Sequence, residues 1–236
     1  ENDRSSIKLH LSSAGSLVVS DLLIAAGRAP NIEKLTLTEA GIKYNDRGVI
    51  VDRNLKTSNR SVYAIGDLVN GPSFTHTASY HAGIVLKKIL FGLSSTMQTI
   101  HIPQVTYTDP EIASVGLNFN DAVKRFGNKV ERSCVNLESN DRAITDNKTE
   151  GFVEVVLLGR KVIGCTIVSK NGGELISFWA FIISRNLKIS NVNSMVPPYP
   201  TLGEVNKRVV SEYYAPKLFG NSFLKFYVKV FQKIFK

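Results

Sequence analysis

An apolar run that stops at a glycine and a carboxylate is the part of the sequence best suited to chemistry: Val62-Tyr63-Ala64-Ile65 leads directly into Gly66-Asp67. A buried strand ending this way delivers both residues to its C-terminal end, the edge of an open α/β sheet where ligands bind. Glycine lets a ligand approach the backbone, and the aspartate can accept hydrogen bonds from sugar-like hydroxyls. The same pair also suits an ordinary turn with Asp67 as a cap, and the residue types alone leave both readings open. The two cysteines, Cys134 and Cys165, fall inside β-patterned runs. They fit neither a metal-ligand spacing nor a disulfide scaffold, and they read as buried structural thiols in a reducing, cytoplasmic setting. His76 and His81 read as helix residues, neither a convincing base.

Elements of two kinds must position these residues. Residues 7–11 alternate like a half-buried strand, and 17–26 form an apolar run ending at Gly27, as a buried parallel strand would. A turn follows at 27–31, with short strands expected at 49–51 and 62–65. After a Gly-Pro-Ser loop, 75–93 carries apolar residues at helical spacing (Ala78, Ala82, Val85, Leu86, Ile89, Leu90) and ends near Gly92. From residue 104 strands predominate, at 105–108, 112–116, 129–137, 152–158 and 162–168. Helices are interleaved after Asn118 or Asn120, at 173–186 and at 201–214. Residues 94–100 and 138–150 are polar enough for loops. No repeat of 20 to 50 residues is visible.

A length of 236 residues allows one large domain or two small ones with a real core at ~150 residues per domain. A chain 43% hydrophobic and 21% charged is neither disordered nor fibrous. Its net charge of +9 invites a nucleic-acid reading, but five lysines and no acid lie in the last 20 residues, so the basic character is largely a tail property. No run reaches the ~18 apolar residues of a membrane span. The start, Glu1-Asn2-Asp3-Arg4, has neither a methionine nor a signal-peptide pattern, which suggests a fragment or a truncated product. Along the tail, Phe223, Leu224, Tyr227, Val230, Phe231, Ile234 and Phe235 oppose Lys225, Lys229, Lys233 and Lys236 on a helical projection. That pattern fits a helix lying on a membrane surface, or equally one packed on its own domain with solvated lysines.

The run Thr57-Ser58-Asn59-Arg60-Ser61-Val62-Tyr63-Ala64-Ile65-Gly66-Asp67 resembles the second flavin-contacting motif of the FAD-dependent pyridine nucleotide-disulfide oxidoreductases, the family of dihydrolipoamide dehydrogenase, glutathione reductase and mercuric reductase. Two more stretches follow the family order. Ala25-Ala26-Gly27-Arg28-Ala29-Pro30-Asn31 is similar to the turn that closes the NAD(P)-binding domain. Val105-Thr106-Tyr107-Thr108-Asp109-Pro110-Glu111-Ile112-Ala113-Ser114-Val115-Gly116 is similar to the opening of the dimerisation domain. The resemblance implies an α/β fold, namely the C-terminal part of a flavoprotein with two dinucleotide-binding domains, followed by an α+β dimerisation domain. Its segments would be an NAD(P)-domain remnant (1–30), the end of an FAD-binding domain (31–100), the dimerisation domain (101–214) and a basic amphipathic tail (215–236).

The resemblance also assigns roles. FAD and NAD(P)H are the implied cofactors, with Gly66 and Asp67 at the FAD ribityl and pyrophosphate. Gly27 would lie along the nicotinamide nucleotide, and Arg28 could equally be a structural residue at the domain junction. Ser73, Phe74, Thr75 and His76 would bring a helix N-terminus to the flavin ring, where its dipole stabilises negative charge on the reduced ring. At Tyr199-Pro200-Thr201-Leu202-Gly203-Glu204 the chain departs from the disulfide reductases, which carry His where Tyr199 stands. A phenol with a pKa near ~10 is a poor base, so thiol exchange is disfavoured and a mercuric reductase-like chemistry on a metal ion or other electrophile is expected from Tyr199 and Glu204. Both could also be a packed interface aromatic and an ordinary helix N-terminal acid.

The family's Gly-x-Gly-x-x-Gly fingerprint and redox Cys-x4-Cys pair are absent. The expected protein is therefore an oxidoreductase fragment, inactive alone, forming a homodimer and drawing its N-terminal half from a separate chain. The competing expectation is a non-catalytic dimerisation or peripheral membrane module. Nucleic acid is not an expected partner.

Overall fold

The computed structural model describes residues 2–3, 6–12, 15–93 and 95–234 and divides the chain into two compact units, 1–97 and 98–236. Phe235 and Lys236 of the tail lie outside the described residues.

The first unit opens with an antiparallel three-stranded sheet of β1 (Asn2–Asp3), β2 (Ser6–Leu11) and β3 (Gly15–Val19). The apolar run after Leu17 is not a buried parallel strand. Among the described residues β3 pairs only with β2, residues 20–26 have no regular structure, and Leu22, Leu23 and Ile24 are exposed. A parallel ladder needs a neighbouring strand to hydrogen-bond, and no described strand lies beside 20–26. The strand expected at 62–65 is likewise reduced to one bridge, Lys56 to Tyr63, before a 3-10 turn at Gly66–Leu68. A two-stranded ribbon, β4 (Tyr44–Asn45) and β5 (Gly48–Val49), and the helix α1 (Thr75–Phe91) complete the unit. Helix α1 ends as its sequence demands, with Gly92 at φ 66° in the left-handed conformation.

Helix α1 is seated through Thr77, His81 and Ile84, a single stripe at i, i+4 and i+7. Ile84 joins a small core of Leu37, Ile42, Val49, Leu55, Ala64 and Val69. His81 is buried, and its Nδ1 accepts the Gly66 N–H at 3.2 Å. Gly66 has φ 64°, and a Cβ built on it would lie 3.0 Å from the Ala78 methyl, so one turn of α1 grips the turn that carries Asp67. The apolar stripe that marks this helix in sequence is split: Ala78 meets Gly66 and Val85 packs on the small core, while Leu86, Ile89 and Leu90 are more than half exposed.

The second unit is an antiparallel sheet ordered β6 (Gln104–Thr106), β7 (Glu111–Gly116), β10 (Lys161–Ser169), β9 (Phe152–Leu158) and β8 (Val130–Asn136). The β9–β10 hairpin turns through Gly159 and Arg160, both at positive φ, as a two-residue type I′ connection requires. Gly164 lies where a Cβ would meet the Leu117 carbonyl oxygen at 1.8 Å, so no larger residue fits at this bulge.

Strand alternation buries Ala113, Val115, Val135, Val153, Val155, Leu157 and Ile167 in one core with residues of α4 (Gly172–Ser184) and α5 (Glu204–Phe219). Within it, the Trp179 indole N–H donates to Asn206 Oδ1 at 2.8 Å and Ser133 Oγ donates to the Val209 carbonyl at 2.8 Å. Helix α2 (Phe119–Phe126) is capped by Asn118. The stretch expected as a loop at 138–150 contains α3 (Asp141–Thr145), because Asn140 accepts the Ala143 N–H at 3.0 Å and starts a helix. The helix expected over 201–214 begins at Glu204 and continues to Phe219, followed by α6 (Ser222–Ile234). Among the described residues no helix is long and apolar enough to cross a membrane.

Two outcomes follow. Asn206→Ala leaves the buried indole N–H unpaired and lowers unfolding free energy by about 1–3 kcal/mol, read in urea by the fluorescence of Trp179, the sole tryptophan. Burial also lowers the His81 pKa, and protonation would turn its Gly66 acceptor into a second donor. The folded state therefore disfavours the charged form. The stability this gives is complete above the unfolded value of ~6.5 and is lost as pH falls below it toward the lowered folded pKa. Thermal unfolding of His81→Asn should show a shallower pH slope there than the parent chain, the remainder coming from His101, whose pKa burial also lowers. Equal slopes would remove His81 from the linkage.

Candidate functional site

In the first unit, Asp67 and Ser73 line a cleft of about 390 Å³ together with Arg28, Asn31, Asp46, Arg47 and Asn70. The 3-10 turn projects the Asp67 side chain outward, and its Oδ2 pairs with Arg28 Nη2 at 2.8 Å. Both side chains are substantially exposed, 41% and 74%, so the pair is a weak, displaceable contact of about 0–1 kcal/mol. Two arginines and two aspartates on one wall can serve phosphate oxygens and ribityl hydroxyls together.

Of the other residues singled out in the sequence, Gly66 is buried beneath this turn. Gly27, at φ 113° with no atom within 4 Å of a built Cβ, neighbours Arg28 without lining the cleft. Phe74 and His76 also stay out of the lining and stack on each other, ring centroids 5.1 Å apart. Thr75 begins α1 at the surface. Its N-terminus has no side-chain cap, and its first turn carries no acid. Such a helix end favours an electron-rich acceptor. The uncapped helix end and the mixed-charge cleft fit the flavin and the ribityl-pyrophosphate portions of FAD respectively.

In the second unit, Tyr199 is 70% exposed, and its hydroxyl donates to Asp141 Oδ2 at 2.7 Å. Asp141 is the functional candidate that sequence reasoning missed, since it lies in the stretch expected as a loop. The available signal was Asn140-Asp141, a capping residue followed by a first-turn acid. The segment is fixed from both sides: Asn140 Nδ2 donates to the Thr201 carbonyl at 3.2 Å, and Arg208 donates to the Ser139 carbonyl. Glu204 is half-buried at the start of α5, and it does not take the phenol hydrogen bond that Asp141 takes. The Tyr199 pKa is raised above 10, first by the hydrogen bond to Asp141, then by that carboxylate's charge, with burial and Glu204 adding to the effect. Tyr199 is thus a neutral donor near neutrality, not a base.

The cysteines cannot supply a redox pair to either place. Cys134 stands opposite Glu154 and Cys165 opposite Val155 on β9, and adjacent strand residues point to opposite faces of the sheet. Cys165 is buried with its pKa pushed well up by burial. Cys134 is exposed, not a buried structural thiol, because alternation puts Ser133 and Val135 inward instead. Its pKa is also raised, by partial burial and then by Glu154.

Known proteins match both units in sequence. The family model described as pyridine nucleotide-disulphide oxidoreductase matches residues 1–82, and that family's dimerisation domain matches 102–210. Mercuric reductase of Staphylococcus aureus is 34% identical over 203 residues, which is 84% of this chain and 37% of the relative. Dihydrolipoyl dehydrogenase of Geobacillus stearothermophilus is 35% identical over 187 residues, 78% of this chain and 39% of the relative. The chain thus spans well under half the length of these curated relatives.

Among solved structures, the Cu(II) complex of the HOCl-induced flavoprotein disulfide reductase RclA of Escherichia coli superposes with a TM-score of 0.80 at 24% identity. The match covers 89% of this chain and 48% of that one. LpdA of Mycobacterium tuberculosis gives 0.82 at 22% identity, over 89% and 46%. These two likenesses establish the fold. With both family models matched in chain order across most of the sequence, and with relatives of two names at about a third identity, the chain belongs to the pyridine nucleotide-disulfide oxidoreductases.

Proposed function

We propose that the chain works as the C-terminal part of a mercuric reductase-like, FAD-dependent NAD(P)H oxidoreductase acting on a metal ion or similar electrophile as a homodimer. The observation that carries this reading is the 2.7 Å bond from the Tyr199 hydroxyl to Asp141, with Glu204 also raising the phenol's pKa. A phenol held protonated by one carboxylate and disfavoured as an anion by a second cannot activate a dithiol as a histidine base would. With its hydrogen turned to Asp141, the hydroxyl leaves oxygen lone pairs in a negative field, which suits a cationic substrate.

The unit around Asp67 supports the cofactor assignment. The residues of this unit would hold FAD, which when bound would supply two-electron redox chemistry between NAD(P)H and a dithiol. Asp67 orients the ribityl hydroxyls, Arg28 and Arg47 offset phosphate charge, and the helix end at Ser73, Phe74, Thr75 and His76 stabilises charge on the ring edge. Gly27 leaves room for the nicotinamide nucleotide. The redox cysteine pair comes from residues outside these 236, on the same or a separate chain. The exposed Leu22, Leu23 and Ile24 and the uncovered stripe of α1 favour such a missing layer, because apolar surface of this kind marks a contact. The opposite-face placement of Cys134 and Cys165 keeps a second reading in play, a non-catalytic dimerisation module.

Flavin retention separates the two. The full chain, incubated with FAD and passed through gel filtration, should keep a structured band near ~450 nm, and Asp67→Ala should lose it. No band with the parent chain, alone or with a polypeptide bearing the family's cysteine pair, leaves only the dimerisation module. In the assembled enzyme, Tyr199→Phe should retain flavin and lower metal-dependent NAD(P)H oxidation by roughly tenfold, the loss of one polar contact of about 1.4 kcal/mol. Asp141→Asn removes the carboxylate that opposes phenolate, so the Tyr199 phenol should titrate closer to ~10 than in the parent. Ultraviolet titration against Tyr199→Phe isolates that group, and an unchanged titration would dissociate Asp141 from the phenol.

A further inference from the structure

Helix α6 lies beyond the residues matched to the family's dimerisation domain, and the flavin chemistry makes no use of it. At about 100° per residue, Lys225, Lys229 and Lys233 fall on one polar sector with Ser222 and Gln232. All the other residues from Phe223 to Ile234 are apolar and fill the remaining arc. Most of them are exposed. Phe223 is 76% exposed, Phe226 65%, Tyr227 56% and Ile234 69%, while Leu224 alone among the described residues of α6 is half-buried. Lys217 is not part of this surface. Its Nζ lies 2.7 Å from Glu131 Oε2 and 3.6 Å from the centre of the Tyr213 ring, so it fastens the end of α5 to the unit.

We propose that α6 is a membrane-surface helix that docks the protein on an anionic lipid bilayer. The lysines recur every fourth residue and make a row about 12 Å long, with no acid anywhere after Glu212 to neutralise it. An apolar arc rich in Phe and Tyr can sink to the acyl boundary while lysine stems reach up to lipid phosphates. A second copy of α6 fits less well: it would bring the same positive row, and the exposed arc is wider than a two-helix seam needs. The charge therefore selects a negatively charged partner and the breadth of the apolar face selects a fluid one, which together describe anionic lipid. This inference is independent of the redox reading, and its test needs no bound flavin.

The full chain should co-sediment with phosphatidylcholine vesicles containing phosphatidylglycerol and remain in solution with pure phosphatidylcholine. Binding should weaken with added salt, and each of Lys225→Gln, Lys229→Gln and Lys233→Gln should reduce partitioning about fivefold. Combined Phe223→Ser and Phe226→Ser should abolish it. These side chains are exposed, so the emission of buried Trp179 verifies that the core is intact in each variant. Absence of sedimentation with anionic vesicles overturns the proposal, as does binding unaffected by both sets of substitutions. Loss of a dimer on gel filtration in the Phe variants, without vesicle binding by the parent, also overturns it and makes a second copy the occupant.

Discussion

The buried indole of Trp179 imposes the constraint on which the second unit depends. An N–H sealed from water must have an acceptor, and Asn206 Oδ1 on α5 supplies it at 2.8 Å. That one bond fixes α5 against α4 in rotation and in height. Ser133 repeats the restraint from the sheet, through the Val209 carbonyl one turn along α5. With α5 so placed, its first residue, Glu204, and the turn leading into it have little freedom. Thr201 meets Asn140, and the Tyr199 hydroxyl reaches Asp141. Candidate chemistry on a half-exposed surface thus inherits its geometry from a polar contact in the centre of an apolar core.

The first unit is held by a smaller set of contacts. Its core is a cluster of aliphatics around Leu55 and Ile84, and the turn bearing Asp67 hangs on the Gly66 N–H to His81 bond and on the close fit of Gly66 to Ala78. Much of the unit's other apolar surface faces outward. The two units therefore differ in kind: in one, sheet and helices share a single large core, while in the other strand-like and helical stripes are in good part exposed.

What could be read from the chain follows from that difference. Local signals translated well. Gly92 ends α1, Asn118 starts α2, and the alternation of β7, β9 and β10 marked the sheet. Asp67 and Ser73, singled out from two separate stretches, line one cleft, while Phe74, Thr75 and His76 stand aside from it. Errors arose wherever a pattern needed a distant partner. Residues 20–26 and 62–65 have the composition of strands but, apart from the bridge of Tyr63 to Lys56, no described neighbour to pair with. The apolar stripe of α1 was plain in sequence, yet the helix is seated through Thr77, His81 and Ile84, because those are the residues the loops at 37–69 reach. Cys134 passed for a core residue because a cysteine in a β pattern carries no mark of the face it takes. Asp141 is separated from Tyr199 by 58 positions, and only the docking of α5 brings them together.

The tyrosine deserves comparison with the histidine expected from the disulfide reductases. Imidazole changes charge close to neutrality, so a histidine beside a carboxylate alternates between neutral and cationic and can carry a thiol's proton. A phenol hydrogen-bonded to Asp141 keeps its proton, and both nearby carboxylates oppose its loss. The negative charge felt by the phenol comes from Asp141 and Glu204, each of which raises its pKa. A steady negative field attracts a cation and repels the thiolate that a disulfide exchange must generate. On the proposed reading, the exchange of one side chain at position 199 does more than remove a base: it changes the sign of the reactant that this surface favours.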